Sequence, residues 1–277
     1  MNLVFKVALA LVFGVSSLFA MGGEGQSTQK GMGKPMKGMF QSVPASQAEL
    51  LMSGKDKEYC PNCGMYLPKF YKTSHAVRLK DGDVTQYCSI YCLVEQFEVT
   101  VHRGEKDKID EIMVVDVPTL KFIDAKKAHY VVGSSKPGTM THTSKYAFKD
   151  EAAAKKFASK NGGEVVNFNK AYMTALEDFA KDTALVYKNR STKMYKLGEK
   201  LFNSQCDKEK VSNLDAHTMG MLKEMIKESG ACGSNLNDKQ LQAIMLYYWD
   251  VRLDKFDKLY GESESVQKEI KKLGLDK

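Results

Sequence analysis

Two pairs of cysteines, Cys60-x-x-Cys63 and Cys88-x-x-x-Cys92, constrain the fold of this 277-residue chain more than any other feature. Thiols so closely spaced are bridged, kept reduced for redox chemistry, or gathered around a metal, and two such pairs can supply a tetrahedral thiolate set. Pro61, Gly64 and Pro68 make the first pair part of a loop. A thioredoxin-like dithiol belongs instead between a strand and a helix. The second pair sits in "CSIYCLVEQFEV", which predicts a helix capped by Ser89. Cys88 and Cys92 then lie one turn apart on one face.

Structural zinc, a pair of disulfides and a softer metal all stay open on spacing alone. Met65 separates them: zinc gains nothing from a neutral thioether, whereas Cu(I) accepts thiolate and thioether at low coordination number. Gly64 lets the loop curl so that Cys63 and Met65 face one ion. A second methionine, Met140, stands in "KPGTMTHTS" with no apolar stripe around it, and His142 beside it is a candidate further ligand. The expected site is shallow and partly exposed.

The chain opens with Lys6, an apolar run from Val7 to Val15, and small residues up to Ala20. That layout predicts a secretory signal over residues 1–20 and a periplasmic protein. An uncleaved anchor is the rival, because Leu18 suits the −3 position of a cleavage site poorly; only then would the protein associate with a membrane. No lipid-acceptor Cys follows the run. Residues 21–57, rich in Gly, Ser, Gln and Lys, read as a flexible tether. Its Met32, Met36 and Met39 are suited to auxiliary collection of Cu(I) through exposed thioethers.

Residues 58–170 mix strands and helices. "HAVRLKDGDVTQYC" predicts a hairpin around Asp81-Gly82; "EIMVVDV", "KFIDA" and "AHYVVGS" predict strands. A helix capped by Asp150 and stopped by Gly162-Gly163 leads into another strand. Beyond Lys170 strand signals vanish, and helices are predicted over about 172–204, 214–229, 237–260 and 264–273, the third behind an Asn237 cap. The fold class is α+β, a two-part sheet-and-helix domain followed by a separate all-α domain over 171–277.

With 41 basic and 34 acidic residues interspersed, and no basic block interleaved with aromatics, nucleic-acid binding has no support. No nucleophile triad, phosphate loop or paired carboxylates are legible, so the chain is not expected to be an enzyme. His75 and His129 fall in strands and His102 in a charged loop, ordinary positions; His217 and Met219 read as ordinary helix residues.

The ordered pieces "CPNCGM", "QYCS", "FIDAKKAHYVVGS", "GTM" and "AFKDEAAAKKFASKNGGEVVNF" resemble the nitrous-oxide-reductase accessory proteins, the NosL family, over residues 58–170. The resemblance implies an exported protein with a mixed fold of two small related halves. It further implies Cu(I) binding and delivery to nitrous oxide reductase within that enzyme's maturation machinery. It places the metal motif on Cys63, Gly64 and Met65, and a later ligand on Met140, with Cys60 and Cys88 at recurring positions. Cys92 stands outside the family pattern and keeps zinc as an alternative occupant.

"KLGEKLFNSQC" and "LNDKQLQAIMLYYW" resemble the first and last helices of a class I cytochrome c. Covalent haem requires Cys-x-x-Cys-His, and Cys206 is followed by "DKEKV", so no haem is expected. Cys206 and Cys232 lie just past predicted helices, without partners at metal-ligand spacing, and are expected to form a disulfide. The function these features predict is a Cu(I) metallochaperone. The alternatives are an envelope thiol–disulfide reductant using Cys60 and Cys63, and a structural zinc module.

Overall fold

A computed structural model describes residues 38–102 and 106–275. The signal segment, Met32 and Met36 lie outside the described residues. Among those described, no helix is long and apolar enough to cross a membrane.

The first half contains β1 (His75–Leu79), β2 (Val84–Tyr87), α1 (Ile90–His102), β3 (Ile109–Val115) and β4 (Phe122–Asp124). The strands form one antiparallel sheet in the order β2-β1-β3-β4. The second half contains β5 (His129–Val132), β6 (Lys145–Phe148), α2 (Glu151–Asn161) and β7 (Glu164–Asn167), with sheet order β6-β5-β7. Each half follows one plan: a strand, its hairpin or loop partner, a helix, then a strand that returns to the free side of the first. His75 opens β1 and His129 opens β5, at equivalent places in the two halves.

Strand β6 has no signal in the sequence because "KYAF" is four residues long and buried on both faces, so no alternation marks it. His102 closes α1 instead of lying in a loop. His75 is a buried core residue, its Nε2 3.2 Å from the Tyr130 hydroxyl and its ring stacked on Tyr130. Burial holds its imidazole down at about 4.

The expected tether is corrected over its second part. Val43 is buried and its N–H donates to the Pro68 carbonyl, while Leu50 and Met52 pack on the sheet core. Phe40 sits edge-on to Tyr146. Residues 40–52 carry enough apolar side chains to leave water, which their Gly- and Lys-rich surroundings disguise. Met39 lies at the start of this packed stretch and is half-buried.

The helices that follow are α3 (Phe168–Asn189), α4 (Tyr195–Gln205), α5 (Lys208–Ser212), α6 (Met219–Ser229), α7 (Asp238–Leu246), α8 (Lys255–Tyr260) and α9 (Glu264–Lys272). A π-type turn over Arg190–Met194 joins α3 to α4 without a break in direction, so the expected helix over 172–204 is realised almost whole. Helix α7 opens on a capping box in which Asn237 and Gln240 exchange side-chain-to-backbone bonds. Leu222, Ile226, Ile244 and Met245 form the core of this region. Gly198 lets α4 cross α7 closely, since a Cβ there would stand 2.1 Å from the Ala243 carbonyl oxygen.

The helical region is all-α, but it is not separate. The described residues all belong to one compact unit. The Tyr91 hydroxyl on α1 lies 2.9 Å from that of Thr183 on α3, and its ring stacks on Phe179. The start of α6 donates its Met219 N–H to the Pro61 carbonyl at 3.0 Å.

Cys206 and Cys232 are joined by a disulfide that ties the end of α4 to the segment after α6. Their separation of 26 residues corresponds to about 3 kcal/mol in the chain-entropy description of a cross-link. Reduction, or Cys206→Ser with Cys232→Ser, is expected to lower the melting temperature by several degrees. Unchanged thermal unfolding after complete reduction would contradict this.

Candidate metal centre

Three short segments carry the sulfur atoms. The first is a tight hairpin in which the Cys60 N–H donates to the Met65 carbonyl at 2.9 Å and the Gly64 N–H to the Cys60 carbonyl at 2.8 Å. It closes because Gly64 takes φ +69°, a backbone region that residues with a Cβ avoid. The second is the junction between β2 and α1, which carries Cys88 and Cys92. The third is the turn before β6, which carries Met140. The Thr73 hydroxyl ties the last two together, donating to the Cys88 carbonyl at 2.8 Å and pairing with the Thr139 hydroxyl at 2.8 Å.

The result is a cluster of sulfur. The Sγ atoms of Cys60, Cys63, Cys88 and Cys92 all lie within 4.8 Å of one another. Cys63 and Cys88 are 3.5 Å apart, and Cys88 and Cys92 3.7 Å. A tetrahedron of metal–thiolate bonds about 2.3 Å long has edges of about 3.8 Å, so the four thiols fit around one ion with little movement. The Met140 Sδ approaches Cys92 at 3.7 Å and Cys88 at 4.0 Å, adding a thioether to the set.

Burial corrects the expected shallow site. No thiol of the four is more than 1% exposed, while Met140 is half-buried and stands at the outer side of the cluster. Cys92, which the family pattern does not single out, contributes one of the four sulfurs; the i, i+4 spacing from Cys88 was its signal. Met65 and Met140 both pack against the core that holds the cysteines, and the sulfur contacts described are those of Met140. His142 is exposed and outside the cluster; its backbone N–H donates to Asp182 at 2.7 Å.

Burial opposes a thiolate at Cys60, yet hydrogen bonding from Cys63, Cys88 and Cys92 holds that thiol well below its ordinary range. Cys88 and Cys92 are pushed up, Cys88 chiefly by its bonds to Cys60 and Cys63 and Cys92 chiefly by burial. One thiolate is thus favoured first, and a cation drawn to it favours the others.

Two buried cations from the helices lie near the hairpin. Lys223 on α6 donates to the Gly64 carbonyl at 3.0 Å, Asp238 at 2.6 Å and Gln242 at 2.9 Å. Arg190 pairs with Asp250 at 3.0 Å, and both cations interact electrostatically with Cys63.

Behind the hairpin lies a cavity of about 780 Å³, lined by Asn62, Tyr91, Glu95, Arg190 and Trp249 among others. His217 and Met219 also face it. Glu95 accepts from Asn62 and is pushed by burial up to about 7. Between the ordinary carboxylate value and about 7, the folded chain keeps a proton that the unfolded chain releases, so stability falls as pH rises through that window. Glu95→Gln is expected to flatten this slope and to stabilise the protein at pH 8 by about 2 kcal/mol, allowing for partial solvent screening. A slope unchanged in denaturant titrations between pH 5 and 8 would contradict it.

Met140 holds φ +57°, a left-handed backbone that costs a non-glycine residue about 1–2 kcal/mol. Strain kept at a residue whose thioether meets two thiols points to a role for the side chain. Met140→Gly is expected to melt no lower than the native metal-free protein and to release bound Cu(I) faster. Equal release rates would remove Met140 from the site.

The NosL family model matches residues 52–175. That match, over less than half of the chain, makes residues 52–175 a NosL-like region, the NosL domain. The match ends inside α3, so the later helices lie beyond it. A solved structure, the copper chaperone NosL from Shewanella denitrificans, is 25% identical, with 46% of this chain and 96% of that one covered and a TM-score of 0.33. No curated protein matches the chain. The NosL domain contains all four clustered cysteines and Met140, together with Met65 and His142.

Proposed function

We propose that this protein is a Cu(I) metallochaperone that acts outside the cytoplasm, with nitrous oxide reductase as its client. The observation that carries the reading is the five-sulfur cluster: four buried thiols with a half-exposed thioether at their edge. Such donors favour Cu(I) over harder ions. The match of residues 52–175 to the NosL family model supports copper, and the export-like first twenty residues support the periplasm.

The protein's own groups divide the work. Met140 is the donor nearest solvent, suited to meeting an incoming or outgoing ion. The four thiols supply the charge that retains it. Release then proceeds by exchange, with a partner's sulfur or imidazole replacing one ligand at a time. Nothing in this sequence of steps requires a reaction at carbon or a change in oxidation state, so the protein is read as a carrier and not an enzyme.

A structural zinc site is the second reading, favoured by the closure of the four thiols, which leaves no position for exchange. Burial of Cys60 and Cys63 weighs against the thiol–disulfide reductant, whose attacking sulfur has to be reached by its substrate. The test is transfer. Protein purified without oxygen and loaded with Cu(I) is mixed with copper-depleted nitrous oxide reductase, separated, and both partners are assayed for metal. Copper is expected to move to the enzyme. Copper that stays, or zinc that occupies the site and resists Cu(I), would contradict the reading.

A further inference from the structure

Two of the three segments that carry sulfur, the Cys60–Gly64 hairpin and the Met140 turn, are held by side chains and backbone from outside the NosL domain. The Cys60–Gly64 hairpin presents three carbonyls to the later helices. Pro61 accepts from the Met219 N–H at 3.0 Å, Cys63 from Gln242 Nε2 at 2.7 Å, and Gly64 from Lys223 Nζ at 3.0 Å. The fit is close on both sides. A Cβ on Gly64 would stand 2.3 Å from the Met245 methyl on α7, and one on Gly220 of α6 would stand 3.1 Å from the Cys60 carbonyl oxygen. The Met140 turn is held from α3, where buried Asp182 accepts the His142 N–H at 2.7 Å.

We infer that the helical region beyond the NosL domain is a latch on the metal site, in which Gln242, Lys223 and Asp182 are positioning residues that set how quickly metal is released. This rests on the reading of the cluster as a Cu(I) site. The physical reason is burial. With all four thiols shielded, ligand exchange requires the hairpin or the Met140 turn to move, and bonds from α3, α6 and α7 are among those that resist such movement. A partner that displaces α6 and α7 from the hairpin frees Cys60 and Cys63 together, coupling recognition of the partner to release of its cargo. The added helices thereby keep the thiol set closed until a partner displaces them.

The experiment uses the full chain. Gln242→Leu removes one bond to the hairpin; Lys223→Met is the second variant should the first fail to fold. Val266→Ala, in the core between α9 and α3 and away from both loops, serves as a control for loss of stability alone. Two rates are measured: Cu(I) loss to a chelator under reducing, oxygen-free conditions, and alkylation of Cys63 in the metal-free protein, followed by peptide mass. Both are expected to rise about tenfold in Gln242→Leu or Lys223→Met and to stay at the native value in Val266→Ala, whatever the melting temperatures. Rates that follow the melting temperature across all variants, or that stay native in a folded Gln242→Leu protein, would overturn the latch. Failure of the native protein to take up Cu(I) would instead overturn the copper reading, and the alkylation rates would still decide the latch.

Discussion

Cys88→Ser is expected to weaken Cu(I) binding by more than about a hundredfold. Losses of 10–100-fold are usual when only a residue supporting a ligand is changed, and Cys88 is the centre of the ligand set. Its Sγ lies 3.5 Å from Cys63, 3.7 Å from Cys92 and 4.0 Å from Met140. Serine keeps the shape of the side chain but supplies a hard, protonated oxygen where a soft thiolate is needed. Cys63→Ser should behave similarly, while Met140→Ala, which removes a neutral donor, should cost less. Competition against a Cu(I) chelator ranks the three. Undiminished binding by the Cys88→Ser protein would remove the cluster from consideration as the copper site.

The second large effect concerns stability. Arg190 and Asp250 form an ion pair in which the Asp250 side chain is 1% exposed and that of Arg190 11%. The Tyr195 hydroxyl donates to the same carboxylate oxygen at 2.9 Å. Removing one partner leaves the other buried without its counter-charge, which costs about 3–5 kcal/mol. Arg190→Met is therefore expected to destabilise the protein by about 3 kcal/mol or more. Arg190→Met combined with Asp250→Leu should recover most of the loss, because no charge is then stranded. Denaturant titration of the native protein, the single variant and the double variant decides it; equal stability of all three would show that the pair is solvated.

Much of this was legible from the chain. The hairpin at Asp81-Gly82, the strands other than β6 and the long helices follow from alternation, turn residues and the Asn237 cap, all local signals. Both cysteine pairs were visible as spacing. The single cluster they form with Met140 depends on loops brought together across 80 residues, and nothing local encodes that. Met65 is marked by its place next to Cys63 in sequence, and Met140 by its polar turn. Both pack against the core that holds the cysteines, and the strained turn at Met140 brings its thioether to Cys88 and Cys92. The helical region was legible as helices but not as part of the site. Lys223, Gln242 and Asp182 look like ordinary helix-surface residues until the fold buries them against the loops, and a fully buried lysine carries no mark of its burial in the sequence.

The central claim is that one Cu(I) is held by the sulfur cluster of the NosL domain. X-ray absorption at the copper edge, recorded on the full chain loaded with one equivalent of Cu(I) under reducing, oxygen-free conditions, tests it most directly. The account predicts a first shell of three or four sulfur atoms, with no nitrogen or oxygen, and a sulfur contribution that falls in the Cys88→Ser protein. A shell containing imidazole nitrogen, or a spectrum unchanged by Cys88→Ser, would contradict it.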